Sequence, residues 1–265
     1  TNVPTDTVVD VFFSEQPLDG EWAVGIAGVD GTATLDETAT IATFVPDVPL
    51  AYETTYTVEA RVCQNTANSS FTTVGEPLDT TILDGRTFEL PYSELVWQAP
   101  NAASILATYI DFDSFLIQVD DVDETTETIS VFAAVGYAIN GTMTPDCGSL
   151  FSPGTGDFSS NPMFTAGPDD MQLPLGATTD LTIEDFALRA SFNADGTEIQ
   201  SITFAGLADT RPVDTLIGSN TCTMAALFGD TCVPCSDGVK KCLQMIGTAT
   251  QADWNAAIDL IGECP

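Results

Sequence analysis

Short runs of β-branched and aromatic residues, each closed by a turn signal, recur along most of this chain, and that rhythm admits little besides antiparallel β-structure. Residues 7–13 (TVVDVFF), 21–26 (EWAVGI), 39–44 (ATIATF), 54–62 (TTYTVEARV) and 69–73 (SSFTT) predict strands, with a turn over 17–20. Gly75-Glu76-Pro77 then breaks the pattern. Beyond it, 86–97 alternates around Phe88, Leu90 and Tyr92, while 115–119 and 128–135 flank an acidic turn and predict a hairpin. The clearest hairpin spans 181–192 and 199–207 around Asn193-Ala194-Asp195-Gly196. Residues 101–109 predict a short helix with Asn101 as N-cap after Pro100, and 148–170, rich in Gly, Ser, Pro and Asp, read as a long loop. The tail differs. Residues 222–228 and 237–246 predict short helices, and Thr250-Gln251-Ala252-Asp253 resembles the capped start of another with Trp254, Ala257, Ile258 and Ile261 on one face. The expected architecture is therefore mainly β: a sandwich over 1–76, an antiparallel β-sandwich or barrel over 77–217, and a disulfide-stapled helical module over 218–265.

The first of these regions resembles the bacterial Ig-like modules found in tandem on cell-surface proteins. The resemblance rests on Thr43-Phe44-Val45-Pro46-Asp47-Val48-Pro49-Leu50 followed by Thr54-Thr55-Tyr56-Thr57-Val58. Val3-Pro4-Thr5-Asp6-Thr7 with Phe13-Ser14-Glu15, and Phe71-Thr72-Thr73, match the pattern at its two ends. Pro46 and Pro49 would stop one strand, and Tyr56 resembles a tyrosine corner tying down the adjacent loop. The resemblance implies an Ig-like sandwich, a bacterial cell surface, and a spacer or adhesive role. The hairpin at 181–207 and Asp209-Thr210-Arg211-Pro212 are faintly similar to uncharacterised bacterial envelope lipoproteins, which carry no activity to transfer. A lipidated cysteine upstream of Thr1 is compatible with that likeness.

Five of the seven cysteines (Cys222, Cys232, Cys235, Cys242, Cys264) crowd the tail, the spacing of a stapled module from an oxidising compartment. Cys232-Val233-Pro234-Cys235 has the spacing of a redox motif, or of half a metal site, but turn-like sequences flank it where a strand and a long helix belong. Sequence leaves the connectivity open; the preferred expectation is that Cys147 and the five tail cysteines make three bridges, leaving Cys63 free and buried.

Charge excludes more than it identifies. Asp and Glu number 39 against 6 Lys and Arg, a formal net charge of −33. Such a surface repels phosphate backbones and anionic headgroups, so no nucleic acid partner is expected. No apolar run is long enough to span a bilayer as a helix. The chain has no histidine, which removes Ser-His-Asp and Cys-His activation and His-ligated metals; catalysis by carboxylates alone stays open.

The densest acidic group, Asp111, Asp113, Asp120, Asp121 and Asp123 with Glu124 and Glu127, supplies the hard oxygen ligands that calcium takes, without an Asp-x-Asp-x-Asp-Gly loop. Asp209 and Arg211 are a candidate for gripping a substrate carboxylate, against the plainer reading that Arg211 pairs with its acidic neighbours. Asn68-Ser69-Ser70 and Asn140-Gly141-Thr142 fit the glycosylation sequon. The expected role is a non-enzymatic exported surface protein, structural or adhesive, with itself, other surface proteins or glycans as partners and residues 1–13 as an extended strand able to add to a neighbour. The alternative is a carrier of an apolar molecule, with Trp97, Tyr109, Phe112, Phe115 and Phe132 lining a barrel cavity.

Overall fold

The computed structural model describes residues 2–14, 17, 21–36, 40–63, 65–103, 110–175 and 179–264. The chain divides into two compact units, Thr1–Glu76 and Pro77–Pro265.

In the first unit β1 (Asn2–Val3), β2 (Val9–Phe12), β3 (Trp22–Ile26), β4 (Gly31–Leu35), β5 (Ile41–Pro46), β6 (Thr55–Val62) and β7 (Asn65–Thr73) form two sheets, ordered β1-β7-β6-β3 and β2-β5-β4. Val24, Ile26 and Val58 from one sheet meet Ala42 and Phe44 from the other, with Leu50 closing the core, so the sheets face each other as a sandwich. Residues 2–12 are not a free arm. They switch sheets, β1 pairing β7 in parallel and β2 pairing β5 antiparallel, each as an edge strand with one side of its ladder used within the unit. Strand β4 was not expected; its Gly31 lies under the Phe44 ring, where a side chain would clash, and glycine and alanine are depleted in strands. Tyr56 Oη accepts the Ala51 N–H at 2.9 Å, tying the loop before β6 back to the strand.

The second unit is a closed barrel. Its strands are β8 (Thr87–Pro91), β9 (Val96–Ala99), β10 (Ser114–Asp123), β11 (Thr128–Ile139), β12 (Thr142–Pro145), β13 (Thr155–Ser160), β14 (Met163–Leu175), β15 (Thr179–Phe192), β16 (Glu198–Asp209), β17 (Val233–Pro234) and β18 (Lys240–Trp254). Neighbours run β10-β8-β18-β16-β15-β14-β13-β11, and β11 pairs back onto β10 from Thr128↔Asp123 to Gly136↔Ser114, closing eight antiparallel strands into a ring. A barrel of that size has just enough interior for its own side chains. Phe192 lies at one aromatic centre, 4.8 Å from Phe164 and 5.6 Å from Phe88; Phe204 lies at another, 5.8 Å from Phe115 and 5.9 Å from Trp97. Gly247 on β18 leaves the room that the Phe204 ring occupies.

Two sequence expectations fail here. Residues 148–170 are not a long loop: β13 and β14 form a hairpin there, with Pro168 at an irregularity between Ala166 and Asp169 where its missing N–H breaks no ladder. The separate helical module over 218–265 does not exist either. Residues 240–254, whose Gln, Met and Ala favour helix locally, form β18, which pairs β16 along one edge and β17, β9 and β8 in turn along the other. Met245, Gly247, Ala249 and Ala252 turn toward the interior, and two neighbouring strands override the local preference. The tail keeps short helices only outside the wall: α1 (Arg211–Ile217), α2 (Thr221–Ala226) and α3 (Leu260–Glu263). Most of the helix expected over 101–109 lies outside the described residues; at its start, the Asp230 carboxylate accepts the N–H groups of Asn101 and Ala102.

Disulfides join Cys147–Cys264, Cys222–Cys232 and Cys235–Cys242. The first closes a separation of 117 residues and pins α3 to the outer face of the wall, where Ile258 and Leu260 pack on Leu116 and Ala134. Gln118, itself buried, donates to Asp259 Oδ1 at 3.1 Å and accepts the Ile261 N–H at 3.0 Å. Cys63 is free, and it is exposed rather than buried, because it sits at positive φ in the β6–β7 turn.

Phe192→Ala is expected to lower the unfolding free energy by about 3–5 kcal/mol in equilibrium denaturation, since its ring touches three other phenylalanines. Replacing Cys147 and Cys264 together by Ser is expected to cost about 5 kcal/mol in the chain-entropy description, with hydrogen exchange rising first at Leu260 and its neighbours.

Candidate functional site

The chemistry-bearing side chains gather where β16 ends and β18 begins. Asp209 closes β16, Arg211 opens α1, and Asp237 lies in the loop that the Cys235–Cys242 bridge closes. Arg211 donates through Nε to both Asp209 oxygens (2.8 and 2.9 Å) and through Nη1 to Asp237. Its Nη2 lies 2.7 Å from Asp209 Oδ2. Two carboxylates hold this guanidinium and push its pKa above the ordinary arginine value; the Asp209 contact is the larger cause. Two carboxylates already balance its single charge, so the plainer reading of Arg211, pairing with its acidic neighbours, is the one the geometry supports. Lys241 Nζ lies 2.6 Å from Asp214 Oδ2. Burial raises the Asp214 pKa, but Lys241 and the Thr221 amide outweigh it and the carboxyl stays low.

Glu184 is buried on β15 beside the same loop. Its oxygens accept the Ser236 N–H at 2.7 Å and the Ser236 hydroxyl at 2.9 Å. Among the described residues, Glu184, Cys235 and Cys242 are the one group of three potential ligands within reach of one another. Both sulfurs belong to one disulfide, so neither offers a thiolate, and the trio does not fit a metal ion. The bridges also divide the C-x-x-C pair, for Cys232 bonds to Cys222 and Cys235 to Cys242. A dithiol redox couple between Cys232 and Cys235 is thereby ruled out in this structure.

The five candidate calcium ligands do not converge. Asp111 and Asp113 precede β10, whereas Asp120, Asp121 and Asp123 end it, so the strand holds Asp113 and Asp121 about 26 Å apart. Each end uses its carboxylates locally. Asp113 Oδ2 accepts the Ala138 N–H at 2.7 Å, and Asp123 Oδ1 accepts the Thr125 and Thr126 N–H groups in the hairpin turn. Burial, and then the charges of Asp146, Asp111 and Asp113, push the Tyr137 phenol upward. Glu124 accepts the Thr80 hydroxyl at 2.6 Å.

Among the described residues the barrel interior is also occupied. Phe115 and Phe204 help line two voids of about 30 and 10 Å³, where a bound small molecule needs roughly 300 Å³ or more. Trp97, Phe112 and Phe115 belong to the core, Phe132 is half-buried outside it, and Tyr109 lies outside the described residues.

Sequence reasoning missed two features. Leu227 and Phe228, at the end of the segment expected to be a short helix, stand 83% and 51% exposed on the segment that Cys222–Cys232 staples. Cys63 Sγ donates to Glu21 Oε2 at 3.0 Å, and that hydrogen bond is the main reason its thiol pKa is raised. Neither partner is near the other in sequence, so no local signal marks the pair.

Comparison of the chain with protein-family models, with curated proteins and with solved structures finds no match.

Besides Asp214, five carboxyls are held below the usual range by hydrogen bonds: Asp79 by the Thr81 hydroxyl, Asp123 by the Thr125 amide, Asp195 by the Thr197 hydroxyl, Asp237 by the Val239 amide and Asp259 by the Gly262 amide. A lowered folded value contributes stability that is complete above the unfolded carboxyl value, near 4, and is lost as pH falls through the folded one. The melting temperature is expected to drop below about pH 4. A melting temperature still rising toward about pH 2 would mean that relief of self-repulsion dominates.

Proposed function

We propose that this chain is a non-enzymatic exported cell-surface protein of a bacterium with a structural or adhesive role. The observation that carries the reading is the placement of the three disulfides. Each staples a segment lying outside the barrel wall, the kind of reinforcement that persists in an oxidising compartment. The acidic exterior adds solubility without a partner for phosphate or anionic lipid.

The first unit is read as an Ig-like module. Its sheets of four and three strands and the Tyr56–Ala51 hydrogen bond support that reading, since Ig-type sandwiches use the same strand count and a tyrosine bonded to upstream backbone. The filled barrel supports a scaffold in preference to a carrier, and the Asp209–Arg211 candidate for binding a substrate carboxylate reduces to a local ion pair. Partners are then other copies, other surface proteins or glycans.

Treating intact source cells with protease, followed by non-reducing peptide mapping of the released chain, tests this. The expected result is a chain cleaved from outside with all three bridges formed. A chain shielded from protease and recovered fully reduced from the cell interior would overturn the proposal.

A further inference from the structure

Strand β3 is an edge of its sheet, and among the described residues no strand pairs its outer side. The Ala27 N–H donates to Thr57 and the Cys63 N–H donates to Glu21, which fixes the ladder phase against β6. Residues 21, 23, 25 and 27 therefore bond inward, and Trp22, Val24 and Ile26 point their backbone groups at the open edge. Natural edges are commonly blocked by a charge, a proline or a bulge; Trp-Ala-Val-Gly-Ile has none of these. The solvent face of the sheet next to this edge carries a groove of about 440 Å³, lined by residues 23–28 with Glu59 and Arg61 of β6 and Thr66 of β7.

We infer that the β3 edge is a self-association site, pairing antiparallel with β3 of a second copy about a two-fold axis at Val24. Charge selects both occupant and register. On the solvent face of the sheet, Arg61 lies beside Ala23 and Glu59 beside Gly25. With Val24 opposite Val24, Ala23 faces the partner's Gly25, and each row across the junction reads Arg61, Ala23, then the partner's Gly25 and the partner's Glu59. The two charged residues are then about 14 Å apart at their Cα atoms, three strand spacings, with only a methyl group and a hydrogen between them. Their long side chains span that gap. Moving the axis to Ala23 sets Arg61 against Arg61, and moving it to Gly25 sets Glu59 against Glu59, so both neighbouring registers are repulsive. The Val24 register uses the outward-facing groups of Trp22, Val24 and Ile26, about six ladder hydrogen bonds in all. The Ile26 carbonyl, which already accepts the Val29 N–H, keeps a second lone pair for one of them.

Both copies carry −33, so the contact needs the global repulsion screened, as it is at about 0.15 M salt where the Debye length is about 8 Å. An edge-to-edge contact is small, and the expected dissociation constant is micromolar to millimolar. The inference stands on the geometry of the edge and not on the surface role, so a monomer would leave that role intact.

The test is sedimentation equilibrium of the full chain at about 0.15 M salt. The native chain is expected to dimerise. Arg61→Glu alone and Glu59→Arg alone each place like charges in facing rows and are expected to weaken the dimer at least about tenfold. The double substitution restores opposite charges and is expected to restore the dimer. Both positions are exposed, so the variants should fold, and far-ultraviolet circular dichroism checks that they do. A native chain monomeric up to about 1 mM overturns the assignment. So does association unmoved by the single substitutions or not rescued by the double one.

Discussion

The ladder between β10 and β11 turns the second unit from an open sheet into a ring, and most of the unit's other properties follow from that closure. A closed sheet has no free edge, so its wall positions need no charged gatekeepers. It also has an interior of fixed volume that eight strands fill with their own side chains. Phenylalanines from β8, β10, β13, β14, β15 and β16 occupy that space, which leaves voids far smaller than a ligand. Most of the carboxylates lie on the outer surface and in the turns, where several accept backbone N–H groups, while Glu184 is buried against Ser236.

Closure also explains the tail. The ring needs a strand between β8 and β16, and β18, from far along the chain, supplies it. Residues before and after β18 must then leave the wall at opposite ends of a 15-residue strand, and both departures are covalently fixed. Cys235–Cys242 and Cys222–Cys232 hold the approach to it, and Cys147–Cys264 holds the exit. The cations follow the same logic. Arg211 and Lys241 tie α1 and the stapled loop to the barrel end, while Arg86 lies 4.3 Å from the Trp254 ring centre and donates to the Gly196 carbonyl. With so few positive charges, each of these joins segments, and Arg61 on the first unit differs in having no such partner among the described residues.

Different parts of this architecture were legible in the sequence to different degrees. The hairpin at 181–207 was readable because alternation, a turn with Gly196 at positive φ, and a second alternating run all agree. The β-character of β18 was not, because Gln244, Met245, Ala249 and Ala252 are good helix formers and only two flanking strands make them a ladder. The acidic candidate misled for a geometric reason. Residues 111–123 are close in sequence, but a strand rises about 3.3 Å per residue, so an extended segment separates what a loop would gather. The Arg211 cluster was half visible: Asp209 is two residues away, while Asp237 arrives only through the Cys235–Cys242 loop.

Sequence alone determined the β class and the strongly acidic, cysteine-dense character of the chain, since these depend on composition and local periodicity. Tertiary structure alone decided that the second unit closes as a barrel, that the tail enters its wall, how the cysteines pair, and which backbone groups of β3 remain open. Those outcomes depend on which distant segments become neighbours, and a pairing between residues a hundred or more positions apart leaves no trace in the local pattern of either one.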